Sequence, residues 1–200
     1  MARPPRYDSA LLLDAAVILA ARGGPAAVTM AAVAQAAGAP SGSVYHRFPS
    51  RTALLAEVWL RTVERFQEGY LAVLTASGDD PRQAAVAASR QVVAWSRENQ
   101  EEAALLLHGP EAFNRSQWPR EQLARADEGN RRVFGAISAL GSALGVTGGV
   151  EAERLSLALV DLPLALVRRH VRVGESLPAH AEQLAADSTA LLLSDPPPGP

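Results

Sequence analysis

A chain of 200 residues with 48% apolar side chains and a net charge of −2 suits one or two compact domains with a sizeable core. It contains no cysteine, which removes disulfides, thiolate metal sites and cysteine nucleophiles together. With no charged-then-apolar leader and no long uninterrupted apolar run, neither secretion nor membrane spanning is expected, and the cytoplasm is the expected location.

In chain order, residues 1–7 hold Arg3, Pro4, Pro5 and Arg6 and read as an unfolded arm. Residues 9–22 form the first expected helix, with Leu12, Ala15, Ala16 and Leu19 on one stripe and Gly23-Gly24 as its stop. The stretch 29–55, TMAAVAQAAGAPSGSVYHRFPSRTALL, then holds two short helices around a tight turn and the start of a third. Thr29 is an N-cap candidate for an alanine-rich helix over 30–37, and Gly38 sits where a helix end tolerates positive φ. Pro40 cannot continue that helix but is welcome at the start of the next, over 41–48. Pro49-Ser50 ends it, and Ser50 caps the third. Helix, short glycine turn, helix is the helix-turn-helix pattern.

The second short helix carries the functional signal. Val44 and Phe48 can share a buried face with Val33 and Ala37, which leaves Ser41, Gly42, Ser43, Tyr45, His46 and Arg47 on or near the open side. Small residues followed by Tyr, His and Arg suit a helix that enters a major groove and touches phosphates along its flank. A short polar surface helix of an all-α protein is the plainer alternative, and Tyr45 can be read as partly core.

From residue 51 a long helix runs to about 76, with Leu55, Val58, Trp59, Thr62, Val63, Phe66, Tyr70 and Leu74 on its stripe. That stripe outlasts what a small N-terminal unit can cover, so the helix is expected to belong to two domains. Residues 77–81 break it, with Asp80 and Pro81 placed to start a helix over 82–98 whose core is Ala85, Val92, Val93 and Trp95. A shorter helix follows over 101–107, then an irregular segment over 111–118. Residues 120–144 form a long helix carrying Leu123, Ala126, Val133, Ile137, Leu140 and Leu144. Residues 151–173 form the next, in which Pro163 should kink the helix or free a carbonyl near Leu159. The last helix covers 179–194, and the terminal DPPPGP lacks the composition to fold. No strand pattern and no repeat interrupts this series, so the fold class is all-α.

Charge is divided unevenly. Residues 1–55 hold five arginines against Asp8 and Asp14, a net +3, and the rest holds 14 arginines against 19 acids, a net −5. A cationic end on an acidic body suits a protein of which one end meets nucleic acid.

The run Thr29, Val33-Ala34, Ala37-Gly38, Gly42, Val44-Tyr45, Phe48, Ser50-Arg51 and Ala53-Leu54-Leu55 resembles the N-terminal signature of TetR/AcrR-family transcriptional regulators. Two positions depart from it: Pro40 stands where Ser or Thr is usual, and Arg51 where Lys is usual. The resemblance implies a helix-turn-helix DNA-binding domain over 1–55, a helical regulatory domain over 56–195 with ligand pocket and dimer interface, and a tail over 196–200. It puts Ser41, Gly42 and Tyr45 against base edges, and Thr29, Ser43, His46, Arg47 and Arg51 on phosphates. Gly42 has a physical reason, since a helix without a side chain there can approach the bases closely. Arg3 and Arg6 are either a frayed terminus or an arm that reaches DNA.

The resemblance also implies a homodimer on a palindromic operator, with the interface on the last two long helices; Leu155, Leu159, Leu162, Leu184 and Leu191 are the candidates. A pocket for a small hydrophobic effector is expected from Trp59, Phe66, Trp95, Leu106, His108, Phe113, Trp118, Phe134 and Leu166, for each of which a plain core role is the alternative. Repression is the family's usual mode, relieved when effector binding changes the spacing of the two DNA-reading heads. A repressor with a packed, pocketless body is the second reading. No catalytic constellation is visible: His46, His108, His170 and His180 lie far apart, and neither a phosphate loop nor a nucleophile elbow is present. No enzyme, cofactor, metal or membrane partner is expected.

Overall fold

The computed structural model describes residues 8–76 and 80–194, and every regular element among them is helical. The expected arm at 1–7, residues 77–79 of the expected break and the tail from 195 lie outside the described residues. The helices are α1 (Ser9–Gly23), α2 (Met30–Ala36), α3 (Ser41–Arg47), α4 (Arg51–Ala76), α5 (Pro81–Glu98), α6 (Gln100–Leu106), α7 (Arg120–Ala143), α8 (Val150–Ser156), α9 (Leu162–Val171) and α10 (Ala181–Leu192). Their ends fall where side-chain chemistry puts them. Asp8, Thr29, Ser50 and Asp80 accept amide protons from the first turns of α1, α2, α4 and α5.

The chain folds as two units, and their composition differs from a division at residue 55. The first joins the segment ending at Glu64 to Ala104–Glu128; the second joins Arg65–Ala103 to the segment from Gly129 onward. The reason is apolar. In the first unit Leu12, Leu54, Leu55, Val33, Val44 and Val58 are fully buried in one core with Leu105, Phe113 and Trp118. Burying each such side chain stabilises the fold by about 1.5–3 kcal/mol. The irregular segment is thus a core element: two 3₁₀ turns, Pro110–Phe113 and Arg115–Gln117, deliver Phe113 against Trp59 at 5.3 Å between ring centroids. The Trp118 indole donates to the Phe113 carbonyl at 2.8 Å.

In the second unit α5 packs along α10, and small side chains form the seam: Ala84, Ala85, Ala88 and Ser89 against Ala181, Ala185, Ala186 and Thr189. The Ser89 hydroxyl lies 3.3 Å from the Ala185 carbonyl, and Arg97 pairs with Glu182 across the same seam. The expected single helix over 151–173 is interrupted by a π turn at Leu157–Asp161, which ends two residues before Pro163.

Candidate nucleic-acid interface

The α2–α3 pair is fixed by its turn. Gly38 takes φ +61°, its amide donates to the Gln35 carbonyl at 3.1 Å, and the Ala39 amide reaches back to Ala34 at 2.9 Å. That is the Schellman geometry, which an L side chain at position 38 would strain. Nothing lies within 4 Å of where a Cβ at Gly38 would project, so the backbone rather than space demands glycine. Pro40 precedes α3 with φ −59° and accepts from the Ser43 amide at 2.9 Å. Val44 and Phe48 then turn into the core with Val33, and Ala37 is half-buried beside them.

The opposite face of α3 is open. Ser41, Gly42, Tyr45 and His46 are exposed and Ser43 is half-exposed. Tyr45 is 60% exposed, which excludes the partly-core reading of its ring. Gly42 is also informative. Its φ lies outside the positive range and no atom lies within 4 Å of an added Cβ, so nothing in the chain excludes a side chain there. Glycine inside a helix costs about 1 kcal/mol relative to alanine, which the fold gains nothing by accepting.

The expected phosphate contacts are divided. Thr29 is exposed, but its hydroxyl oxygen already accepts from the Ala32 amide at 3.1 Å. Arg47 is half-buried and reaches the Ser9 hydroxyl at 3.4 Å. Arg51, expected on a phosphate, donates from Nε to the Val28 carbonyl and from Nη2 to the Pro25 carbonyl, each at 2.7 Å. Arg3 and Arg6 lie outside the described residues.

Two arginines that the sequence left without a role hold the first unit together. Arg61 donates to the Ala10 carbonyl at 3.2 Å and pairs with Asp14, pinning α1 to α4. Arg125 on α7 forks between Glu57 and Glu64 of α4, with four contacts of 2.9–3.2 Å, and Gln122 adds a fifth to Glu57 at 2.9 Å. Hydrogen bonding to Glu64, and then to Glu57, holds the Arg125 guanidinium more firmly protonated than usual against the opposing effect of burial. Glu57 and Glu64 lie two helical turns apart on one face, and that spacing was the available signal.

Residues 12–58 match the family model described as bacterial regulatory proteins, tetR family. The match covers the helix-turn-helix end of the chain, 47 of its 200 residues. Among solved structures, this chain is similar to a TetR family transcription regulator from Marinobacter aquaeolei VT8, at 19% identity over 92% of this chain and 93% of that one, TM-score 0.71. A tetR family transcription regulator from Shewanella sp. PV-4 gives 23% identity, 94% and 97% coverage and TM-score 0.68. FadR from Bacillus subtilis, solved with stearoyl-CoA, gives 13%, 94%, 98% and 0.68. Likeness at these identities establishes the fold. No curated protein matches the sequence.

The residues expected to line an effector pocket are not gathered in one unit. Trp59, Leu106, His108, Phe113 and Trp118 belong to the first unit and Phe66, Trp95, Phe134 and Leu166 to the second. Trp59, Phe113 and Trp118 are core, and His108 is exposed. Phe134 is 66% exposed. Phe66 stands edge-on to Trp95 at 5.2 Å and stacks on Tyr70 at 5.9 Å, an aromatic cluster internal to the second unit. A cleft of about 120 Å³ in that unit is lined by Arg82, Glu151 and Arg154 among others, and one of about 250 Å³ by Val86, Thr189 and Leu193 among others. Neither uses an expected effector residue.

The interface candidates divide too. Leu155 and Leu159 are buried within their own unit. Leu162 is half-buried, whereas Leu184 and Leu191 are exposed. No helix among the described residues is long and apolar enough to cross a membrane.

Proposed function

We propose that this chain is a TetR-family transcriptional repressor that binds a palindromic operator as a homodimer and is released by a small hydrophobic effector. The observation that carries the DNA-reading part is Gly42: an exposed helix glycine that the chain's own packing does not require. It is explained if a base edge or the groove floor must come close to the α3 backbone there. Tyr45 and His46, exposed on the same short helix, would then read bases or phosphates beside it. Ser43, Arg47 and Thr29 would flank them.

Support for an effector is of a different kind. The Phe66–Tyr70–Trp95 cluster offers aromatic surface inside the second unit, and FadR carries stearoyl-CoA on the same fold. The reading with a packed, pocketless body draws on Trp59, Phe113 and Trp118, which the core of the first unit consumes.

The test is a low-salt pull-down of fragmented source-genome DNA by the purified protein, followed by sequencing. One palindromic site should be enriched, and lost on Tyr45→Ala and on Gly42→Leu. Absence of enrichment, both as purified and after unfolding and refolding to strip any bound effector, would overturn the proposal.

A further inference from the structure

Arg51 opens α4, and its two carbonyl acceptors bracket one feature. Pro25 opens the 3₁₀ turn Pro25–Ala27 and Val28 follows it, leading into Thr29, the N-cap of α2. The turn's own bonds are few: the Ala27 amide to the Gly24 carbonyl at 3.1 Å, and the Val28 amide to Pro25 at 3.2 Å. Gly24 adds a positive φ of 67°, so the approach to α2 is a short, tightly specified path. A guanidinium suits two acceptors set apart on such a path, because its N–H groups diverge in a fixed plane. A lysine ammonium is a single donor point on a flexible stem. Bonds from an ionised donor are also roughly twice as strong as neutral ones.

We infer that Arg51 is a positioning residue for DNA reading: it fixes the turn at 25–27, and through Thr29 the start of α2, instead of itself holding a phosphate. This rests on the reading of α2 and α3 as the DNA interface. Arg51 does so by donating from Nε to the Val28 carbonyl and from Nη2 to the Pro25 carbonyl, which also accepts the turn's own Val28 amide.

Two full-length variants separate brace from phosphate ligand. Arg51→Lys keeps the charge and loses the fork; Arg51→Gln loses the charge. Without DNA, amide exchange at Ala27 and Val28 should rise roughly tenfold in both, the loss expected for a charge-assisted bond, while the fully buried α4 residues keep their protection. On a random-sequence duplex, both should bind more weakly than wild type at every salt concentration with an unchanged log–log salt slope. The inference is overturned if both variants exchange like wild type. It is equally overturned if Arg51→Lys binds like wild type while Arg51→Gln loses about 0.9 of slope, the value of one phosphate contact. A wild-type protein that retains no duplex at low salt overturns the DNA reading itself, and the exchange rates then still judge the brace.

Discussion

Tyr70 carries a hydroxyl buried in the second unit: the residue is 3% exposed and the oxygen finds no hydrogen bond among the described residues. Burial pushes its pKa from the ordinary 10.0 up to about 12. The linkage has a definite sign. Below pH 10 both folded and unfolded chains keep the proton and the group contributes nothing. Between pH 10 and 12 the unfolded chain has lost a proton that the folded chain retains, so stability falls, by about 1.4 kcal/mol per pH unit at full difference. Tyr70→Phe should therefore remove that alkaline decline. At neutral pH it should leave stability equal or higher, because an unpartnered buried hydroxyl costs about 1–3 kcal/mol. Urea unfolding at pH 7 and through the alkaline range measures both, and a loss of stability at pH 7 would mean that the hydroxyl has a partner after all. Residue-scale burial was only partly legible in the sequence. Val133 and Phe134 are neighbours of similar hydrophobicity, yet one step turns a side chain by a hundred degrees around α7, and Phe134 falls outside while Val133 is half-buried. Tyr45 was left open for the same reason and lies outside too.

Elements were more legible than residues, because helix ends are written in local chemistry. Thr29, Gly38, Ser50, Asp80 and Pro81 mark boundaries with their own side chains or backbone, and the structure puts helix ends beside each of them. Pro163 was readable as a disturbance, but its consequence needed the fold. The Leu162 amide reaches five residues back to the Leu157 carbonyl, so the widened register would give the Ala158 carbonyl to residue 163, which as proline has no N–H. The buried Thr189 hydroxyl of α10 donates to that carbonyl at 3.1 Å. A partner 31 residues away leaves no trace in local pattern. Thr189→Val, which keeps the shape and removes the donor, should cost about 1–3 kcal/mol by stranding the carbonyl. Adding Pro163→Ala should recover part of that loss by supplying an amide. Chemical denaturation of the two single variants and the double gives the coupling; strict additivity would refute the link between Pro163 and Thr189.

At the scale of the whole molecule the question is which apolar surface is left for a second copy. The leucines of the last helices looked equivalent as sequence, since periodicity identifies a stripe but not which of two stripes meets the core. The structure separates them. Leu159 is 1% exposed, whereas Leu184 is 46% and Leu191 76% exposed, seven residues apart and so two turns along one face of α10. A twofold interface uses the same patch on both subunits, so a charge placed there repels its own copy. If the proposed homodimer uses this face, Leu184→Glu with Leu191→Glu should yield a monomer by sedimentation. Exposed substitutions of this kind typically alter stability by no more than about 0.5 kcal/mol, so the variant should remain helical. Leu159→Ala should do the reverse, lowering stability by about 2–5 kcal/mol through a core cavity while leaving association intact wherever the chain is folded. Operator binding sharpens the contrast. Two linked heads gain avidity that one lacks, so the double glutamate variant should lose operator affinity by orders of magnitude while α3 is untouched. If it instead sediments as a dimer and binds like wild type, the second copy docks elsewhere, and the exposed leucines of α10 need another explanation.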